Sequence, residues 1–225
     1  MNAKSGWMPS EITVKVCGLT REQDVDQAIE LKADLFGFIL YAPSPRGQSL
    51  QRAVELAQRV PQGRRVAVDV SPTPERLFEY KAAGFDFFQI HTEAEVSEAQ
   101  LREWAAVVGS SQLWLSPRLK PEQPLPERFL SYADTILLDT YSSQQVGGTG
   151  RTGDWASFAA LSRAHSEKQW ILAGGLNSEN ILAALEATGA SHLDVNSGVE
   201  SAPGVKDHRK LEELFRVLRS GGAEL

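Results

Sequence analysis

Residues 170–199 read WILAGGLNSENILAALEATGASHLDVNSGV. A short apolar run (170–172) leads into the turn Ala173-Gly174-Gly175. A segment with helical spacing follows (177–188), and then a second apolar run (192–195). Strand, helix and strand within about 30 residues make a βαβ unit, whose two strands run parallel. The same alternation extends along the chain. Apolar runs rich in Val, Ile, Leu and Phe occupy residues 13–16, 34–40, 65–70, 86–90, 112–115, 135–138, 170–172 and 192–195. Helical spacing occupies 21–31, 50–60, 74–83, 94–108, 177–188 and, after the last run, 210–218. The Pro-rich stretch 117–126 predicts a loop and a short turn in place of a regular helix. Eight βα units in 225 residues imply a single (β/α)8 barrel and not an open doubly wound sheet. The expectation is one domain over 1–225, with 1–11 a short N-terminal extension.

Composition narrows the function. Hydrophobic residues make up 42% and charged residues 23% of the chain, an ordinary globular balance. The formal net charge of -6 offers no attraction to nucleic acid or to an anionic membrane, so neither is expected as a partner. An anionic substrate must be held by a local site. Cys17 is the only cysteine, which excludes an internal disulfide and argues against a Cys-based zinc site. No metal or cofactor is expected. No apolar run approaches the roughly 18 residues of a membrane span, and the N-terminus carries no apolar signal stretch. The expected location is the cytoplasm, as a monomer or homodimer.

In a closed parallel barrel the site lies at the C-terminal ends of the strands. The first run ends Val14-Lys15-Val16-Cys17-Gly18. If Val14 and Val16 face the helices, Lys15 and Cys17 face inward, with Cys17 at the mouth. A lone Cys can be a small buried hydrophobe, but it is also a reactive group where a substrate would sit. The sixth run ends Leu137-Leu138-Asp139, and Asp139 is either a turn residue or an acid facing the same mouth. Gly174-Gly175 after the seventh run and Ser197-Gly198 after the eighth suit a phosphate held on backbone N–H groups. Gly147-Gly148-Thr149-Gly150, after the sixth run, is a third glycine loop. Arg46, in Pro43-Ser44-Pro45-Arg46, offers a fork for a carboxylate or simply a solvated surface charge. On the eighth run Asp194 shares the inward parity of Lys15 on the first. Closure makes those strands neighbours, so a buried Lys15–Asp194 ion pair beneath Cys17 is expected.

From about Val14 to Leu218 the chain resembles the phosphoribosylanthranilate isomerase family. The resemblance rests on Lys15-Val16-Cys17-Gly18-Leu19-Thr20, Gly37-Phe38, Ser44-Pro45-Arg46, Leu138-Asp139-Thr140, Gly147-Gly148-Thr149-Gly150 and Asp154-Trp155. It continues through Leu172-Ala173-Gly174-Gly175-Leu176-Asn177, Ser197-Gly198-Val199-Glu200 and Pro203-Gly204-Val205-Lys206-Asp207. It implies an aldose–ketose (Amadori) isomerisation of N-(5-phosphoribosyl)anthranilate in tryptophan biosynthesis, on a small phosphosugar substrate and without a cofactor. Cys17 would be the general base and Asp139 the general acid. Arg46 would hold the anthranilate carboxylate, and Gly148, Gly174, Gly175, Ser197 and Gly198 the phosphate. The chain departs from the family pattern at Ile90-His91-Thr92, at Leu115 where a Lys is expected, at Asp69 and at Asn196. The alternatives are another phosphate-binding barrel isomerase, of histidine biosynthesis, or a non-catalytic phosphate-binding barrel. The first would carry an Asp in place of Cys17, and the second would have lost Cys17 or Asp139.

Overall fold

The computed structural model describes residues 11–120, 123–140 and 154–223. Eight strands form a closed barrel in chain order with every neighbouring pair parallel: β1 (Thr13–Val16), β2 (Leu35–Ile39), β3 (Arg65–Val70), β4 (Phe87–Glu93), β5 (Leu113–Arg118), β6 (Thr135–Asp139), β7 (Gln169–Ala173) and β8 (His192–Val195). The intervening helices are α1 (Glu22–Glu30), α2 (Leu50–Ala57), α3 (Pro74–Ala82), α4 (Glu98–Val108), α5 (Arg128–Tyr132), α6 (Trp155–Ala164) and α7 (Ile181–Thr188), with α8 (His208–Ala223) last. Among the described residues no helix is long and apolar enough to cross a membrane.

Alternation along the strands sorts side chains into two cores. Val14, Val16, Phe36, Phe38, Phe88, Ile90, Ile136 and Leu138 point outward and pack beneath the helices. Cys17, Val66, Val68, Trp114, Leu137, Ile171 and Ala173 point inward and fill the barrel. Fully burying a large apolar side chain stabilises by about 1.5–3 kcal/mol, so both layers hold the barrel closed. The same parity explains two departures from the family pattern. Asp69 lies on the outward face of β3 and is buried. It survives there because the Tyr80 hydroxyl from α3 donates to it at 2.6 Å, with Arg76 at 3.5 Å. Leu115 also faces outward, which leaves Ser116 as the buried inward residue at the end of β5.

Helix starts follow their caps. The side chains of Ser49, Thr73, Ser97 and Asp154 accept from the backbone N–H groups of Arg52, Arg76, Gln100 and Ser157. Helical spacing predicts starts at residues 94 and 177, but α4 begins at Glu98 and α7 at Ile181. In the first case β4 runs on to Glu93, paired with Arg118 on β5, and Ser97 sets the cap. In the second, Asn177 Oδ1 accepts from the N–H groups of Glu179 and Asn180, which diverts the backbone into a turn before the helix. Among the described residues the region after β5 holds only the five-residue α5, in line with its prolines. After β8 the chain makes a 3-10 turn (Ser197–Val199) and an unforeseen antiparallel hairpin, β9 (Glu200–Ala202) with β10 (Val205–Lys206). Asp207 then caps α8, which starts two residues earlier than its spacing suggests.

At the opposite end of the barrel one device recurs. Asp34 Oδ2 accepts from the N–H of Val14, and Asp86 Oδ2 from that of Arg65. Each carboxylate follows a helix-to-strand turn and holds the first residues of the preceding strand. The two helix-to-strand turns thus repeat one contact.

Asp24 on α1 ties the two ends of the chain together. Fully buried, it accepts from Arg21 Nη2 at 2.7 Å and from the backbone N–H of Lys206 at 3.2 Å, and lies 2.9 Å from His208 Nε2. Burial would raise its pKa, but the bonds from Arg21, His208 and the Lys206 N–H outweigh that and hold it below the ordinary value. Its contribution is complete above the unfolded pKa of about 3.9 and is lost as pH falls through the lower folded value. Asp24→Ala is expected to cost about 2–3 kcal/mol, because a buried N–H loses its acceptor together with two charge-assisted contacts. Urea denaturation at pH 7 and in acid should show this gap narrowing as the wild type's carboxylate protonates.

Candidate active site

Cys17 stands one residue beyond β1 at the C-terminal rim, and its N–H donates to Val195 O at 2.9 Å. It is buried, with 3% of its surface exposed. Directly beneath it, Lys15 Nζ donates to Asp194 Oδ1 at 2.8 Å, across a seam in which these residues are register partners. The expected pair is therefore present. Gly37 on β2 makes room for it: a Cβ there would stand 2.9 Å from Cys17 Sγ and 2.9 Å from Lys15 Nζ. Burial raises the Cys17 thiol above its ordinary pKa, while Lys15 pulls it back and Asp194 pushes it up again. Burial would likewise strip the proton from Lys15, but Asp194 and Cys17 together hold its pKa above the ordinary value.

A second polar cluster lies close enough to Cys17 for the charges of Arg46 and Lys206 to act on it. Arg46, in the loop after β2, places Nη2 2.6 Å from Glu200 Oε2 and Nε 2.9 Å from Glu200 Oε1. Lys206 Nζ, fully buried, donates to Glu200 Oε1 at 3.0 Å and to Asn196 Oδ1 at 2.9 Å. Gly18, at φ +71°, makes this possible: a Cβ there would lie 2.7 Å from Asn196 Oδ1 and 2.8 Å from Arg46 Cδ. Burial would raise the Glu200 carboxyl, but bonds from Arg46 and Lys206 bring it below the ordinary range. Burial also lowers Lys206, and Glu200 only partly restores it. The sequence singled out Arg46 but not Glu200 or Lys206, although both lie in its quoted motifs. Their role depends on the hairpin contact of Lys206 with Asn196 and of Glu200 with Arg46, pairings that no local pattern announces.

Asp139 closes β6 on the parity of the inward Leu137 and is exposed at the same rim as Cys17. Between β6 and β1 in the barrel lie β7 and β8 with their glycine turns. Gly174 and Gly175 both take positive φ. The Gly175 carbonyl is pinned by the side-chain amides of Asn177 and Asn180 at 3.2 and 3.0 Å. A Cβ on Gly198 would fall 2.1 Å from Leu176 O, so only glycine lets the turn after β8 press against the turn after β7. Gly174, Gly175, Ser197 and Gly198 thus form one rim, with Ser197 exposed. Gly148 and its loop lie outside the described residues. On the far wall, His91 sits inward on β4 with its Nε2 2.8 Å from Gln89 Nε2, and burial drives its pKa down to about 4, so it is neutral at pH 7. Among the described residues no group of three or more His, Cys, Asp or Glu side chains could hold a metal ion.

The model of the N-(5′-phosphoribosyl)anthranilate isomerase family matches residues 14–217. The enzyme of that name from a Synechococcus strain is 36% identical over 213 residues, covering 92% of this chain and 96% of its own. The crystal structure of phosphoribosyl anthranilate isomerase from Thermotoga maritima is 29% identical with a TM-score of 0.76, covering 93% of this chain and 99% of its own. Another structure of such an enzyme, in complex with reduced 1-(o-carboxyphenylamino)-1-deoxyribulose 5-phosphate, is 27% identical with a TM-score of 0.74, covering 93% and 99%. Fold and matches together define a (β/α)8-barrel aldose–ketose isomerase. The chain belongs to the N-(5′-phosphoribosyl)anthranilate isomerase family, whose reaction is a step of tryptophan biosynthesis.

Glu200 is the carboxylate that two cations share. Glu200→Ala is expected to destabilise the protein by about 3–5 kcal/mol, since it leaves Lys206 buried without an anion. Thermal unfolding followed by circular dichroism measures the loss, and Glu200→Gln, which keeps the acceptor but not the charge, should recover part of it.

Proposed function

We propose that Cys17 and Asp139 are the general base and general acid of this isomerisation. The observation that carries the assignment is their placement: both end inward-facing positions at one rim, on walls separated by the two glycine turns. Asp139 gives its proton to the ribose ring oxygen as the C1′–O bond breaks, and the amine lone pair forms the C=N bond. Cys17, as thiolate, removes the C2′ proton, and the electron pair left on C2′ moves toward nitrogen to give the enamine. Protonation at C1′, with loss of the proton from the C2′ hydroxyl, then delivers the 2′-ketone. An acid and a base on opposite walls serve two atoms of one substrate without either having to move.

The substrate's ends fit the same frame. The phosphate lies on the rim of Gly174, Gly175, Ser197 and Gly198, where positive φ and absent Cβ atoms expose backbone to a ligand. Gly148 is assigned to the same end on the resemblance alone. The anthranilate carboxylate lies at Arg46. Because Glu200 already holds Nε and Nη2, the Nη1 edge is the one offered to the ligand. Glu200 thereby fixes the guanidinium plane before substrate arrives, which reduces the ordering cost of binding.

In a steady-state assay with substrate generated in situ, Cys17→Ala and Asp139→Ala should each lower kcat by about 100-fold or more while a product analogue still binds. Turnover near wild type in either folded variant removes it from its role. Arg46→Ala should raise KM through loss of a charge-assisted pair. If a substrate lacking the carboxylate suffers as much from this change as the full substrate, the carboxylate is held elsewhere.

A further inference from the structure

We propose that Lys15 and Asp194 are positioning residues that set the proton affinity of the Cys17 thiol, Lys15 favouring the thiolate and Asp194 limiting it. The proposal rests on the reading of Cys17 as the base and explains how a buried thiol can fill that role. Cys17 Sγ and Lys15 Nζ each lie 2.9 Å from the point where a Gly37 Cβ would stand, so they are separated by at most twice that distance. Lys15 is 1% exposed and Cys17 3% exposed, so solvent screens their interaction little. A charged amine inside a barrel is costly, and a well-packed apolar residue often serves stability as well or better. Its place within reach of the one thiol gives the lysine a use that stability does not.

The charges facing Cys17 can be counted element by element. From β1 comes Lys15, and from β8 Asp194. From the loop after β2 comes Arg46, from β9 Glu200 and from β10 Lys206. His91 on β4 is neutral, with a pKa of about 4. Asp139 on β6 lies exposed on another wall of the rim. Among the described residues three cations therefore meet two carboxylates around the buried thiol, and a thiolate supplies the missing negative charge. Burial acts the other way and is the larger influence, so the free enzyme holds Cys17 as thiol above its ordinary pKa. The cluster keeps that thiol within reach of deprotonation, which a cysteine in a purely apolar barrel would not be.

The two residues act with opposite sign, and this separates the proposal from simple structural support. Cys17 is the only cysteine, so its titration can be followed by the 13Cβ shift of 13C-cysteine-labelled protein without substrate. Lys15→Met should raise the titration midpoint by about one pH unit or more, and Asp194→Asn should lower it. Should Lys15→Met fail to fold, the charge-free pair Lys15→Met with Asp194→Leu should still raise it, because the influence of Lys15 on the thiol, the larger of the two, is lost. The rising limb of kcat/KM against pH should move with the midpoint in each variant. Midpoints that stay put, or that move the same way in Lys15→Met and Asp194→Asn, overturn the proposal. Midpoints that move as stated while the kcat/KM limb does not follow overturn instead the reading of Cys17 as the base.

Discussion

The Lys15–Asp194 pair sits where the barrel must close. A parallel sheet of eight strands has no edge only if β8 finds β1, and the two meet over four residue pairs with Lys15 opposite Asp194. A slip of one residue would turn Lys15 out beneath the helices and Val14 and Val16 into the barrel, with no carboxylate to receive the lysine. The ion pair thus specifies register at the one junction of the barrel that no βα crossover joins. Apolar burial supplies the stability on both sides of the strands, and the pair supplies selectivity among ways of closing. Gly37 belongs to this constraint, since any side chain there would occupy the space of the lysine and the thiol together.

Around that junction the mouth is organised by carboxylates that hold cations. Glu200 fixes Arg46 and Lys206, and Asn196 adds its amide oxygen to Lys206. Asn196, a departure from the family pattern, is thereby absorbed into the structure as an acceptor for a buried ammonium group. The other departures resolve equally simply. Asp69 and Leu115 face the helices, away from the site, and only His91 remains at the mouth, where burial keeps it neutral.

The β9–β10 hairpin joins the site to the outer shell. Its Gly204 carbonyl accepts from Thr20 Oγ1 at 2.5 Å, and the Lys206 backbone donates to Asp24 on α1. Lys206 therefore faces two ways, with its ammonium group on Asn196 and Glu200 and its backbone against the first helix. The segment after β8 is what lets the last strand and helix lock onto the first.

Alternating period determined much of this protein in advance. Eight apolar runs separated by helical spacing admit few arrangements, and side-chain parity within the runs already placed Lys15, Cys17 and Asp194 on one inner wall. Those features are local, or follow from closure alone, and so a sequence shows them. The exact starts of α4 and α7 were less legible, because Ser97 and Asn177 compete with the helix through side-chain hydrogen bonds that helical spacing ignores. Glu200 and Lys206 were not legible as site residues at all. Each is an ordinary charged residue on a strand of the short β9–β10 hairpin, 154 residues beyond Arg46 in the case of Glu200. Only the tertiary structure brings Glu200 to Arg46 and Lys206 to Asn196, and the reason is physical: buried charges must find partners in space, and chain distance carries no record of which partner is near.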